Sequence, residues 1–358
     1  MKDLKSKAVS AFGIECPFIR EGDDIASIVV NSVLDSGIGV DDMDVVGITE
    51  SVVARAQGNY VTVDELAAEV EDVVGVNAPI LMLYAPIYSR NRFATILRGF
   101  ARASVRIVLV MPYIDEVGNV VKNHPFTGLD YMELYKNICK EENCECDIVE
   151  NLREGKNSFT WWCTQHHNIK FDAYIDCTLH NNGFSTLSLH SWYCFRPVFT
   201  LMDFFKDKCE WGLLGSNKMN EEKLKLFPSK GGAQAVCDIV KDKFLKITGK
   251  NVVVCVYGDG CFHDPVGNIL EWADPTTMPS YTNKELIEST PNELKLKELI
   301  DNKTEAEIYK SISENNLQKT SSMGTTPRLR RDLIASLCDL ISGSGDRATP
   351  VVLIKNYF

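Results

Sequence analysis

Three carboxylates in one stretch rich in glycine and proline are the residues of this chain best suited to chemistry. They are Asp259, Asp264 and Asp274, and they follow an apolar run at residues 251–256 that is typical of a buried strand. We expect the strand to end at the Gly-Asp-Gly around Asp259, because glycine lets the backbone turn sharply and approach a ligand. Carboxylates suit Mg²⁺ or Mn²⁺ and hence a nucleotide phosphate. The alternative is a loop whose aspartates hydrogen-bond their own backbone.

A further aspartate, Asp176, ends a run at residues 171–177 that also indicates a strand. An aspartate and a neighbouring hydroxyl at a strand end can hold a divalent cation. Asp176 therefore joins Asp259 and Asp264 as a candidate metal ligand. Cys144 and Cys146 have C-x-C spacing, which does not match a common zinc pattern.

Four polar residues, Ser89, Arg90, Asn91 and Arg92, precede a helical pattern at residues 93–103. We expect Ser89 to cap this helix. The arginines suit a clamp on an anionic substrate or on phosphate, although a capped helix with solvated arginines fits the pattern equally well. A basic pocket in this otherwise acidic chain would also include Arg98, Arg102 and Arg106.

The N-terminal part contains a strand pattern at residues 44–49 that leads through Glu50 and Ser51 into a helix. A strand that feeds a helix N-terminus can cradle phosphate, because the first N–H groups of a helix are free. Arg55 would add a forked contact. The alternative is an ordinary strand-turn-helix with a surface arginine, since neither GxxxxGK[ST] nor GxGxxG occurs.

A short segment, LGSNK at residues 214–218, contains Asn217 and Lys218. It is compatible with a backbone nest for anions and equally with an ordinary turn. On the first reading both residues belong to a substrate or phosphate site.

The elements that must position these residues follow from apolar periodicity. Strands at residues 79–85 and 105–111, with the helical pattern at 93–103 between them, give a β-α-β order, which predicts an α/β (α+β mixed) fold with mixed sheets flanked by helices. A further helix is expected at residues 24–36. Residues 115–170 are expected to be mostly loops. Other expected elements are a helix at 220–248 with a break at 228–232, an amphipathic helix at 331–340 and a closing strand at 349–358.

Length and composition narrow the class of protein. The chain has 358 residues, of which 45% are hydrophobic, so two domains are expected, at 1–210 and 211–358. The net charge of −11 argues against a nucleic-acid surface. No apolar window is long enough to span a membrane, and we expect no signal peptide. The twelve cysteines do not form a small disulfide scaffold, which predicts a reducing, cytoplasmic location.

Longer stretches resemble a known family. PFIREGDDIASIVVNSV at residues 17–33 and DMDVVGITESVVARAQG at 42–58 are similar to the N-terminal pattern of the coenzyme F420-0:L-glutamate ligase (gamma-glutamyl ligase) family. LLGSNK at 213–218 and YGDGCFHDPVGNILEWADP at 257–275 resemble its longer bacterial branch. The resemblance is poor at residues 112–210.

The resemblance implies a two-domain ligase fold and a nucleotide-dependent enzyme. GTP or ATP, with Mg²⁺ or Mn²⁺, would phosphorylate a carboxylate of a deazaflavin or folate acceptor, and the amine of L-glutamate would then displace phosphate. It also implies a homodimer, but it identifies no catalytic residue. The expected nucleotide-binding residues are Pro17, Phe18, Ile19, Arg20, Glu50, Ser51 and Arg55.

Two departures from the family pattern leave other functions open. The family's lysine falls at Arg55, and the aspartate of its Ile-Asp-x-Ser-Asn metal segment is lost near residues 87–91. A nucleotide-binding relative without turnover is one alternative. A metal-dependent phosphohydrolase is the other.

Overall fold

The structure is a computed structural model, and it describes residues 8–85, 91–111, 123, 127–150, 172–177, 197–263, 270–287, 304, 306–307, 310, 329–342 and 348–358. These residues form helices and sheets of an α/β fold, which confirms the predicted fold class. The chain divides into two compact units. The first unit is Met1–Val53 with Gly231–Phe358, and the second is Ala54–Lys230. This division differs from the expected ranges 1–210 and 211–358, because strands from both ends of the chain share one sheet.

The regular elements of the described residues are, in chain order, β1 (Ser10–Ile14), α1 (Ile25–Asp35), β2 (Val45–Thr49), α2 (Glu50–Ala56), β3 (Tyr60–Thr62), α3 (Val63–Val74), β4 (Ile80–Tyr84), α4 (Arg92–Ala103), β5 (Arg106–Met111), α5 (Tyr131–Glu141), β6 (Glu145–Glu150), β7 (Ala173–Asp176), β8 (Val198–Thr200), β9 (Asn217–Asn220), β10 (Lys223–Lys225), α6 (Gly232–Thr248), β11 (Val253–His263), β12 (Leu270–Tyr281), α7 (Arg330–Ser342) and β13 (Val351–Lys355). Short 3₁₀ turns cover Leu201–Asp203 and Lys284–Ile287.

The first unit contains a mixed sheet with the strand order β1-β13-β2-β11-β12. The closing strand β13 lies antiparallel between β1 and β2, and β2 is parallel to β11. All five residues of β2 are buried. This burial explains the uninterrupted apolar sequence that predicted the strand, since a strand covered on both faces has no polar alternation.

Helix α7 packs against this sheet through buried Ile334, Ala335 and Cys338. A Cβ atom built on Gly47 of β2 would lie 2.4 Å from the Cys338 sulfur. Glycine at position 47 therefore permits close approach of the helix to the sheet.

The second unit contains a sheet with the order β6-β5-β4-β7-β8, in which every neighbouring pair is parallel. The chain adds β5 and β6 on one side of β4, and then β7 and β8 on the other. Such an open α/β sheet has a switch point between β4 and β7, where the strand order reverses.

The prediction of loops over residues 115–170 was wrong for α5 and β6. The Asp130 side chain accepts hydrogen bonds from the N–H groups of Met132 and Glu133 and so caps α5. The apolar face of α5 includes Tyr135, which is buried. Charged residues lie between the apolar residues of this helix, and for that reason its helical spacing was not recognised in the sequence.

A small antiparallel sheet, β3-β10-β9, also lies in the second unit. The LGSNK segment ends in strand β9, which begins at Asn217, rather than being all loop. Residues 223–225 form β10, not helix, and α6 begins only at Gly232, after the predicted break.

The expected end of the strand at the Gly-Asp-Gly was also wrong. Strand β11 continues through Asp259 to His263 and pairs with β12 as a long hairpin. Asp264 lies outside the described residues. The ladder hydrogen bonds with β12 keep this glycine-containing segment extended, which local propensity does not reveal.

Candidate functional site

Three strands of the mixed sheet point their carboxyl ends in one direction. Pairing aligns Ile14, Val351, Ile48, Val256 and Ser280 in one row across the sheet. Because β13 is antiparallel to both β1 and β2, and β2 is parallel to β11, strands β1, β2 and β11 all run toward this row in the same direction. We call this side the carboxyl edge of the mixed sheet.

Segments far apart in sequence meet at this edge. The loop with Pro17, Phe18, Ile19 and Arg20 follows β1, and Glu50 and Ser51 follow β2 directly. Asp259 lies in β11 three residues beyond the row, opposite Thr276 of β12. The structure therefore brings six predicted nucleotide-binding residues and one predicted metal ligand to one edge.

The loop after β1 is held by one local and one long-range hydrogen bond. The Asp23 carboxylate accepts the Arg20 N–H at 2.6 Å, and the Cys16 N–H donates to the Ala348 carbonyl at 3.0 Å. Ile19 anchors the loop with 2% exposure, whereas Phe18 is 69% exposed. The loop thus presents an aromatic ring outward.

The Arg20 guanidinium lies 5.3 Å from the centre of the Phe18 ring. A cation at this distance is attracted by the electron-rich face of the ring. The pair offers a flat apolar surface and a positive charge side by side, which suits an aromatic ligand that carries negative charge.

Glu50 is the first residue of α2 and is only 3% exposed. The Thr49 N–H before it donates to the Pro350 carbonyl at 3.0 Å, which ties the strand end to the segment that enters β13. A carboxylate in the first turn of a helix is stabilised by the positive end of the helix dipole. The Glu50 carboxylate is therefore a buried group with oxygen atoms that can bind a cation at this edge.

Tyr257 of β11 pairs with Thr49 and is also buried. Burial raises the pKa of its hydroxyl above the ordinary value, and nearby Cys338 raises it further. The hydroxyl therefore stays protonated over the physiological range.

Arg55 lies in the last turn of α2 and belongs to the second unit. Gln57, just after this helix, accepts the N–H of Ser229 at 2.8 Å. Asn59 donates its side-chain amide to the Phe227 carbonyl at 2.7 Å. The segment after Arg55 is therefore fixed to the stretch that precedes α6.

A second group of predicted residues lies at the carboxyl edge of the parallel sheet. Asn91 and Arg92 begin α4, after β4, and Asp176 is the last residue of β7. The Cys177 N–H donates to the Tyr84 carbonyl at 2.9 Å, which joins the ends of β4 and β7. This is the switch point, where ligands of open α/β sheets bind.

The predicted N-cap of α4 was wrong. Asn91, not Ser89, occupies the N-cap position of α4, and it makes no side-chain capping bond. Because α4 begins at Arg92, the N-cap position directly before it belongs to Asn91. Ser89 and Arg90 lie outside the described residues.

The expected basic pocket of Arg98, Arg102 and Arg106 was wrong. Arg98 pairs with Glu141 and Glu142, both at 2.7 Å. Arg106 pairs with Asp147. These arginines bind α4 and β5 to neighbouring elements, and their charge is used within the unit.

Arg102 is the most heavily paired of the three. It contacts Glu142 and Asp64 at 2.8 Å and Glu222 at 2.9 Å. The hydrogen bond with Glu142, and then that with Glu222, raise the pKa of its guanidinium. In turn Arg102 lowers the pKa of the Glu142 carboxyl.

Asn217 and Lys218 lie on β9, and the Lys218 amine pairs with Glu221. Asn217 and Tyr60 both pair with Lys225 of β10, so these three residues share one face of the small sheet. Lys225 is only 3% exposed. Sequence reasoning missed this lysine, although the alternation Lys-Leu-Lys of a short strand could have indicated it.

The predicted metal ligands do not belong to one sheet. Asp176 and Asp259 lie on different sheets and in different units. Across the residues described with their side chains, no three His, Cys, Asp or Glu residues form a metal-binding group. The donors at the carboxyl edge of the mixed sheet are carboxylates, a chemistry that fits Mg²⁺ or Mn²⁺.

A family model described as F420-0:Gamma-glutamyl ligase matches residues 13–356. The chain belongs to this F420-0:gamma-glutamyl ligase family. The match includes the loop after β1, the turn between β2 and α2, and β11, so the carboxyl edge of the mixed sheet lies within the family's domain. Membership confirms the resemblance and supports a glutamate-ligase activity on an F420-type acceptor.

A search of curated proteins returned no match. Of the helices in the described part of the chain, none is both long and apolar enough to cross a membrane.

Proposed function

We propose that this protein is a nucleotide-dependent gamma-glutamyl ligase that adds L-glutamate to a carboxylate of a deazaflavin or folate acceptor. The observation that carries the proposal is the meeting of three family segments, at Phe18–Arg20, Glu50–Ser51 and Asp259, on the carboxyl edge of the mixed sheet. In the proposed reaction GTP or ATP phosphorylates the acceptor carboxylate. The glutamate amine then attacks the acyl phosphate, and phosphate leaves.

Each group at this edge has a role that its chemistry supports. The Phe18 ring stacks on the nucleotide base and the Arg20 guanidinium binds a phosphate oxygen. The Ser51 hydroxyl donates a hydrogen bond to phosphate. Glu50 and Asp259 would hold Mg²⁺ or Mn²⁺, which neutralises phosphate charge when bound.

The second unit offers groups for the substrates. Asn91, Arg92, Asn217 and Lys218 are proposed to bind anionic substrate groups, and Asp176 to bind a cation. Lys225 joins this set because it shares a face with Asn217. A buried lysine binds a carboxylate more strongly than an exposed one, since water screens the pair less.

The direct test is an assay of the purified protein with labelled L-glutamate, Mg²⁺, either GTP or ATP, and each acceptor in turn. Phosphate release in step with glutamylated product is the expected result. Phosphate release that needs no glutamate would identify a phosphohydrolase instead. Tight nucleotide binding without turnover would identify a non-catalytic relative.

A substitution tests the site itself. Asp259→Asn keeps the size of the side chain and removes its charge, and we expect ligase turnover to fall roughly 10²–10³-fold, as when one transition-state contact is removed. Asp242→Asn is the matched control, since Asp242 is exposed on α6 of the same unit. Equal activity of both variants would exclude Asp259 from the site. An unfolded Asp259→Asn protein would indicate a structural role in the hairpin.

Two further properties remain proposals. The family resemblance favours a homodimer, which light scattering of the purified protein will test. A reducing cytoplasm is the proposed location, because cysteines such as Cys237, Cys255 and Cys338 are used as small buried apolar residues. Fractionation of source cells will test that location.

A further inference from the structure

Helix α5 ends in a turn that brings two cysteines together. Asn143 has a positive φ of 58°, and the Cys144 N–H donates to the Cys139 carbonyl at 2.9 Å. The Asn143 N–H donates to the Lys140 carbonyl at 3.1 Å. These paired bonds define a Schellman motif, in which the side chains at the positions of Cys139 and Cys144 normally touch.

A third cysteine, Cys146, lies close to this pair. It is the second residue of β6, which begins directly after Cys144. The Cys139 thiol is within hydrogen-bonding reach of the thiols of both Cys144 and Cys146. Cys139 and Cys144 are 0% and 5% exposed, whereas Cys146 is half-buried.

Neighbouring groups favour the thiolate form of Cys146, the most exposed of the three cysteines. Contact with the Cys139 thiol lowers the pKa of Cys146, and the positive charge of Lys136 contributes in the same direction, against burial and the negative Asp147. Contact with Cys144, and then with Cys146, raises the pKa of Cys139. A low-pKa, accessible thiol next to a hidden partner is the arrangement of a redox-active dithiol.

The first unit provides a contrasting pair. Cys255 and Cys338 are also neighbours, but each is 0% exposed. Burial next to Cys338 raises the pKa of the Cys255 thiol well above its ordinary value. This pair has neither the access nor the thiolate character that exchange requires.

We propose that Cys146 and Cys139 form a thiol-disulfide exchange site for small disulfides of the glutathione type. The Cys146 thiolate attacks one sulfur of glutathione disulfide, which forms a mixed disulfide and releases one glutathione thiolate. The Cys139 thiol then loses its proton and attacks the Cys146 sulfur, which releases the second glutathione. Two protein thiols are oxidised to one disulfide, and one glutathione disulfide is reduced to two thiols.

The site is independent of the ligase assignment, and its product would link the last turn of α5 to β6. Because β6 is the outer strand of the parallel sheet, the link would fix an edge of the second unit. The Cys144 thiol takes no part in the exchange, since it is only 5% exposed.

The test treats the full-length protein with glutathione disulfide and maps the products by mass spectrometry. Trypsin cleaves after Lys140, and a glutamate-specific protease cleaves after Glu145, so the three cysteines fall on separate peptides. We expect a Cys139–Cys146 disulfide, with Cys255 and Cys338 still reduced in the same digest. An unmodified Cys146, or a disulfide that links Cys144 instead, would overturn the proposal.

Variants separate the two chemical steps. Cys139→Ser should stop the reaction at the Cys146–glutathione adduct, and Cys146→Ser should leave the other two thiols reduced. Cys144→Ser is the matched control and should form the disulfide like the wild type. Circular dichroism checks the fold of each variant. If Cys139→Ser does not fold, Cys139→Ala serves in its place, and the wild-type digest decides the question without any variant.

Discussion

The two compact units differ in how the chain builds their sheets. The mixed sheet of the first unit combines β1 and β2 from the N-terminal end with β11, β12 and β13 from the C-terminal end. The parallel sheet of the second unit uses one continuous stretch, from β4 to β8. The first unit therefore depends on contacts between residues from both ends of the sequence, whereas the second depends on local β-α-β connections.

The units also differ in what holds their elements together. In the first, a closely packed helix lies on the sheet at Gly47 and Cys338. In the second, Arg102 joins α4 to acidic residues on three other segments. Packing without voids is sensitive to added volume, while ion pairs are sensitive to charge and pH.

The largest expected effect comes from removing residues 348–358. Strand β13 lies between β1 and β2, so its loss leaves both strands without that neighbour. Hydrogen exchange should show lost protection of the β2 amides, while the β4 and β5 amides keep theirs. Removal of Phe358 alone is the control and should leave β2 protected. Retained protection of β2 after the longer deletion would contradict the difference between the units.

A smaller effect is expected from Gly47→Ala in the first unit. The new Cβ would meet the Cys338 sulfur at 2.4 Å, and overpacking of this kind costs about 1–3 kcal/mol. Hydrogen exchange of the β2 amides measures that cost. Adding Cys338→Ala removes the clashing sulfur, so the double variant should lose less stability than the sum of the two single changes. Strict additivity would show that the contact is not the cause.

The corresponding change in the second unit is Arg102→Met. It removes the ion pairs with Glu142, Asp64 and Glu222, and Glu142 has an exposed side-chain fraction of only 11%. We expect a loss of about 1–2 kcal/mol, since two charged hydrogen bonds to a poorly exposed carboxylate are lost while Arg98 still pairs with it. Arg106→Met is the control, because its partners are more exposed, and it should cost below about 1 kcal/mol. The reverse ranking in chemical denaturation would contradict this reading.

The smallest effect concerns pH. Arg102 lowers the pKa of Glu142 below its ordinary value of 4.5, with Arg98 adding to the shift. A lowered folded-state pKa stabilises the protein above the ordinary value, and that stability is lost as the pH falls through the folded pKa. Glu142→Gln should therefore lower the stability of the second unit at pH 7 and flatten its decline in acid. Parallel acid curves for the variant and the wild type would exclude this contribution.

The sequence predicted best where apolar residues run without interruption. Strands β2, β4 and β5 were predicted to within one residue of their bounds, because a strand buried on both faces has a continuous apolar sequence. The closing strand β13 was predicted, but five residues too long. Helix α5 was missed, since its charged face and its capping aspartate were read as loop. Strand β11 was cut short at the glycines around Asp259, because only pairing with β12 keeps that segment extended.

The candidate site shows the same division. The residue types at Glu50, Ser51 and Asp259 predicted phosphate and metal chemistry, and the family resemblance added Arg20 to the nucleotide-binding residues; these roles stay predictions. Their common edge was not predictable, because it depends on β13 reaching back between β1 and β2. The prediction of a basic pocket from the arginines of α4 was wrong, because only the fold places carboxylates beside them.

By itself the sequence determined the local elements, the acidic character and the family of this protein, because each depends on residues close together along the chain. Only the tertiary structure decided which distant polar residues share a sheet edge, which arginines are paired and which cysteines touch. These are contacts between segments up to several hundred residues apart, and they exist only once strand pairing has fixed the register.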